Sequence, residues 1–163
     1  MRETATSRGH YLTNTTDATT NNESAPLEQL MAASLANYWA AADLYARLLN
    51  FAPNDFHAEF LQYILADETG FYNTLTDLYV SLFGTRPIFD REQIAFTDYR
   101  DGLYKAIKAE LNMRRYDYEI LNYLSEDISN LQAANAYRLA ASGHNEHLSL
   151  ITMLYNLATS VLR

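Results

Sequence analysis

The sequence predicts an all-α protein built as a four-helix bundle. Three observations carry that prediction. The 163-residue chain holds only 5 Gly and 3 Pro, so turns are few and the segments between them long. Apolar residues recur at three- and four-residue spacing through four long segments, the period of a helix with one buried face. No segment shows the strict alternation of a half-buried strand. Hydrophobic residues make up 48% of the chain, which at this length suits one domain with one core.

Residues 1–24 are rich in Thr and Asn, with Tyr11 and Leu12 the sizeable apolar side chains after Met1. That composition buries too little surface to offset the entropy of ordering. A polar tail is expected there, or an extended arm that docks on a neighbouring subunit of a homo-oligomer. The bundle itself is expected over residues 25–163. Helix one spans about 25–50, with Ser24 as N-cap, Pro26 in the first turn and Glu28 at the positive end of the dipole. Its inner face reads Leu27, Leu30, Ser34, Asn37, Ala41, Leu44 and Leu48. Pro53 blocks its continuation, and Asn54 caps helix two, about 55–83.

The inner face of helix two reads Leu61, Ile64 or Leu65, Glu68, Phe71 or Tyr72, Leu75, Leu78 and Leu82. Gly84 ends it. The connection "TRPIFDREQIAF" is longer than an ordinary helix–helix turn, so it is expected to cross the bundle, pinned by Ile88, Phe89, Ile94 and Phe96. Helix three, about 98–124, presents Leu103, Ile107, Glu110, Met113, Asp117, Leu121 and Leu124. Ser125 is placed as the cap of helix four, about 126–162, with Glu126 and Asp127 in its first turn. Helix four presents Leu131, Ala134, Arg138 or Ala141, His144, His147, Ile151, Leu154, Ala158 and Val161. Gly143 interrupts it next to the first histidine, where a kink or a π-bulge is expected.

The formal net charge of −8 argues against nucleic acid and against an anionic membrane surface as partners. No cysteine is present, which removes disulfides, thiolate ligands and iron–sulfur clusters, and fits a cytoplasmic protein. The N-terminus lacks the apolar stretch of a signal peptide, and no apolar run reaches the ~18 residues of a membrane span.

Three inner stripes carry ionisable groups: Glu68, Glu110, and the pair His144 and His147. Each alone has a plain structural explanation. Glu110 can pair with Arg114 one turn on, Glu68 can rotate outward beside Asp67, and a histidine on an apolar face is commonly a hydrogen-bonded core residue. Together they require more, because carboxylates are rarely buried without a partner. Two carboxylates and two imidazoles directed at one axis suit a divalent cation such as iron, manganese or zinc.

"LLNFAPNDFHAEFLQYILADETGFYNTLTDLYVSLFG", "GLYKAIKAELNMRRYDYEIL" and "GHNEHLSLITMLYNL" together resemble the helices of the ferritin-like, rubrerythrin-like superfamily of bacterial carboxylate-bridged metal proteins. The resemblance spans roughly Leu27 to Leu157. It implies a ferritin-like bundle and a six-ligand pattern: Glu from helix one, Glu-x-x-His from helix two, Glu from helix three, Glu-x-x-His from helix four. Glu68, Glu110 and His147 match the helix-two Glu, the helix-three Glu and the helix-four His. The helix-one Glu falls on Asn37 or Tyr38, the helix-two His on Phe71 and the helix-four Glu on His144. One metal position thereby loses both of its terminal ligands while the other keeps its own. The resemblance implies a mononuclear site of Glu68, Glu110, His144 and His147 holding one divalent ion. The other reading is a structural or self-assembling bundle without metal, in which Phe71 and Tyr38 fill the core, Glu110 pairs with Arg114 and Glu68 bonds to the histidines.

Overall fold

The computed structural model describes residues 24–125 and 130–160. Four helices account for nearly all of them: α1 Ser24–Leu48, α2 Asp55–Phe83, α3 Tyr99–Leu124 and α4 Leu131–Ser160. A short 3-10 turn, Leu49–Phe51, follows α1. No strand occurs among the described residues. The expected N-terminal tail or arm and the expected start of helix four at residue 126 lie outside the described residues. No helix among the described residues is long and apolar enough to cross a membrane.

Local sequence sets the helix boundaries. Asn54 sits in extended backbone and its side chain accepts a hydrogen bond from the His57 N–H at 3.1 Å, capping α2 as expected. Gly84 ends α2 at φ 72°, a left-handed conformation that glycine adopts without steric cost. Asp98 caps α3 by accepting from Asp101 N–H at 2.8 Å, and Asp101 in return accepts from Thr97 N–H at 3.1 Å. The residues that Ser125 is expected to cap, 126–129, lie outside the described ones. The Ser125 backbone is helical, its N–H bonds to Leu121 O and its hydroxyl donates to Asn122 O at 2.9 Å, so it closes α3.

Contacts fix the directions of the helices. Tyr79 reaches Glu28, so α2 runs antiparallel to α1. Tyr38 reaches Asp117 and Tyr45 reaches Glu110, so α3 is antiparallel to α1 as well. His57 at the start of α2 meets Tyr99 at the start of α3, which makes α2 and α3 parallel. The chain must therefore return the whole length of the bundle between them, as the long connection suggests. It does so along α1: Arg91 lies over Trp39, Gln93 bonds to Asp43, Arg47 donates to Ile94 O at 3.0 Å, and Phe96 meets Phe51 edge-on. Phe89, Ile94 and Phe96 pack against the core, whereas Ile88 is 93% exposed and pins nothing.

The buried faces follow the expected stripes with shifts of one position where a helix meets two neighbours rather than one. On α1 the core takes Met31, Leu35, Tyr38 and Tyr45 beside Ser34, Ala41, Leu44 and Leu48, while Asn37 is half-buried and bonds to Asn112. On α2 Tyr79 is inside and Leu82 is exposed. On α3 Ile120 replaces Leu121, and on α4 Tyr137 and Ala140 are buried while Leu131 and Arg138 face out. Replacing Asp98 with Ala removes the α3 cap and is expected to cost about 1 kcal/mol, seen as a lower urea midpoint at unchanged slope.

Candidate metal centre

Glu68, Glu110, His144 and His147 come together inside the bundle. One ligand atom from each lies within 4.8 Å of the others, and all four residues are buried. α2 supplies Glu68, α3 supplies Glu110 and α4 supplies both histidines, whose three-residue spacing puts them on one helix face. His144 Nδ1 stands 2.9 Å from Glu110 Oε2 and 3.3 Å from Glu68 Oε1. His147 Nδ1 stands 2.9 Å from Glu68 Oε1 and 3.7 Å from Glu110 Oε2. Both imidazoles thus aim Nδ1 at the same pair of carboxylates. Glu68 Oε2 is buried with no hydrogen-bond partner.

The other ring nitrogens also face acids. His147 Nε2 is 3.2 Å from Asp67 Oδ2, on the half-exposed side of α2. His144 Nε2 is 2.9 Å from Tyr38 OH and 3.3 Å from Asp117 Oδ2. α1 contributes two phenols: Tyr45 donates to Glu110 Oε1 in a short hydrogen bond, and Tyr38 donates to Asp117 Oδ1 at 2.8 Å. The Glu110–Arg114 pair does not form, because Arg114 bonds to Asn145 Oδ1 at 2.7 Å on the outside. Glu68 does not rotate outward beside Asp67; it is fully buried and bonded to His147.

Asp117, Tyr38 and Tyr45 extend the cluster beyond the four residues the sequence singled out. Asp117 was visible in the inner stripe of helix three, seven residues and two turns after Glu110. Tyr38 was one of two candidates for the helix-one position, and the buried face of α1 selects it over Asn37. Tyr45 had no signal of its own among 13 tyrosines.

No π-bulge forms at Gly143; α4 is α-helical continuously through it. The glycine's lack of a side chain admits the Phe71 ring instead. A Cβ at 143 would stand 2.7 Å from Phe71 Cε2 and Cζ. The Phe71 ring consequently packs on both histidines, with centroids 6.0 Å from His144 and 6.2 Å from His147.

Solved structures of low sequence identity share this architecture. A ferritin-like, diiron-carboxylate protein from Bacillus anthracis superposes with a TM-score of 0.73 at 14% identity, covering 83% of this chain and 99% of that one. A hypothetical protein from Pyrococcus furiosus gives a TM-score of 0.72 at 18% identity, covering 82% of this chain and 90% of its own. The fold is ferritin-like. No protein-family model matches the sequence, and no curated protein matches it.

Charge in the centre of this ferritin-like bundle is shared by proton. Burial alone would lower the pKa of His144, but hydrogen bonds to Asp117, Glu110 and Glu68 outweigh it and push it up to about 12. The same opposition, with Glu110 and Glu68 as partners, pushes His147 up to about 10. Burial would raise Glu110, yet the two histidines hold it below the usual carboxylate range. Burial raises Asp117. Burial and the neighbouring carboxylates raise Tyr38 and Tyr45 well above the ordinary phenol value, so both remain hydrogen-bond donors. A surface hollow of about 790 Å³ around Pro53, His57, Tyr99 and Ala158 lies at one end of the bundle. His57 is about 16 Å along α2 from Glu68, so that hollow is separate from the cluster.

Two expectations follow. With a chelator present, both histidines have folded-state values above the ordinary 6.5. Their contribution to stability is complete below pH 6.5 and is lost as pH rises toward 10 and then 12. Thermal melts in chelator should show a midpoint that falls as pH rises from 6.5 to 10, and His147→Gln should flatten that fall. Separately, Gly143→Ala should displace Phe71 and cost about 1–3 kcal/mol in chemical denaturation, despite the higher helix propensity of Ala.

Proposed function

We propose that this ferritin-like bundle binds a single divalent cation (iron, manganese or zinc) through Glu68, Glu110, His144 and His147. The observation that carries this reading is the convergence of four buried ligand atoms within 4.8 Å of one another. Donors on one ion at 2.0–2.2 Å stand about 3.4 Å apart in a tetrahedral arrangement, so the widest separation of 4.8 Å must close by about 1.4 Å, while the 2.9 Å pairs open by about 0.5 Å. Two carboxylates and two imidazoles form a donor set acceptable to all three metals. Glu68 Oε2, buried without a partner, is the kind of atom a cation would satisfy.

A single ion is favoured over a pair because aromatic rings take up the space beside the histidines. The Tyr38 ring lies 5.2 Å from His144, and Phe71 contacts both imidazoles. A bound ion would supply Lewis acidity or, for iron and manganese, one-electron exchange. The chain's own residues do the rest. Glu68 and Glu110 offset the positive charge, Tyr45 holds Glu110 in place, and burial excludes bulk water. His144 and His147 must give up the protons on Nδ1 before that atom can coordinate, so loading should release protons and weaken as pH falls.

A second reading has one observation in its favour. The histidines already have carboxylate oxygens of Glu68, Glu110, Asp117 and Asp67 within 3.3 Å, so protons alone can hold the cluster together in a structural bundle. Metal analysis of the purified chain separates the two. About one ion per chain, absent in His144→Ala, with tighter binding at pH 7.5 than at pH 5.5, is the expected result. Two ions per chain would exclude the mononuclear site. A metal-free protein whose melting midpoint ignores added iron, manganese and zinc would leave the structural reading.

A further inference from the structure

We infer that Asp117 and Tyr38 are positioning residues that hold His144 with its proton on Nε2, leaving Nδ1 as the atom that meets the cation. This rests on the single-ion reading above and adds to it which nitrogen binds and what selects it.

The imidazole of His144 has a different environment at each nitrogen. Nδ1 faces Glu110 at 2.9 Å and Glu68 at 3.3 Å. Nε2 faces Tyr38 OH at 2.9 Å and Asp117 Oδ2 at 3.3 Å. Tyr38 donates its own proton to Asp117 Oδ1 at 2.8 Å, so the phenol oxygen can only accept from Nε2–H. With its proton so committed, the Nε2 side offers nothing but acceptors. An Nε2–H is therefore bonded, while an Nε2 lone pair would face oxygen lone pairs. The neutral ring that coordinates metal then has one favourable tautomer, protonated at Nε2 and open at Nδ1.

Asp117 has few other interactions in the core. It is fully buried, and its Oδ2 makes no hydrogen bond of good geometry. A buried carboxylate of that kind is costly unless it serves a donor. Nε2–H is a donor within reach of Oδ2, and a small rotation of the carboxylate would close the 3.3 Å gap. The two-turn spacing of Glu110 and Asp117 lets one face of α3 address both ends of the ring. The Tyr38 and Phe71 rings pack on it and resist a flip that would exchange the two nitrogens.

The test uses the full chain loaded with zinc, whose diamagnetism permits nitrogen–proton correlation spectra of the histidine side chains. Wild type should show His144 with a protonated Nε2 and a zinc-bound Nδ1. Asp117→Asn should weaken zinc binding by about 10- to 100-fold and move the His144 nitrogen shifts while leaving those of His147 in place. Tyr38→Phe, which removes one oxygen and keeps the ring, should do the same to a smaller degree and serves if the Asn variant does not fold. A His144 ring protonated on Nδ1 and bound through Nε2 would overturn the inference and leave the metal site intact. Wild-type affinity with unmoved His144 shifts in both variants would also overturn it, as would equal movement of both histidines. Wild type that takes up no zinc would remove the single-ion reading itself.

Discussion

Burial of charge in a dry interior is the constraint around which this bundle is arranged. Glu68, Glu110, Asp117, His144 and His147 are all sealed from solvent. An isolated carboxylate in such a place would be protonated or would unfold its surroundings. Here each acid has an imidazole or a phenol within reach, drawn from a different helix. The cluster consequently ties α2, α3 and α4 to one another, and the two phenols of α1 join from the remaining side. Polar contacts of this kind specify one register of the four helices. An apolar interface alone would tolerate a slide of one turn.

Much of this was legible in the chain. The four helices, the Asn54 cap, the Gly84 stop and the crossing connection follow from local signals that depend on neighbours in sequence. The inward direction of Glu68, Glu110, His144 and His147 follows from helical period, because each falls in step with apolar residues three and four positions away. Their convergence did not follow from period. It required the parallel arrangement of α2 and α3, and that arrangement comes from the connection lying on α1.

Other features depended on tertiary geometry and left no trace in a single sequence. Tyr45 reaches Glu110 only because two antiparallel helices bring positions 65 residues apart side by side. Gly143 reads as a helix breaker by propensity, yet its role is to leave room for a ring on another helix. Arg114, one turn from Glu110, had an obvious local partner and takes Asn145 instead, since the carboxylate points inward and the guanidinium outward. Ser125 closes α3 through a bond from its hydroxyl to Asn122 O, a contact that residue type alone does not announce.

The strap along α1 limits how the chain can change length. α2 has 29 residues and is about 43 Å long, while residues 84–98 reach about 50 Å when stretched. The slack is roughly two residues. Deletions larger than that would have to unwind an end of α2 or α3, drawing Glu68 and Glu110 out of level with the histidines. Added residues would simply bulge outward. Variation in this segment should therefore be one-sided, with insertions tolerated and shortening resisted.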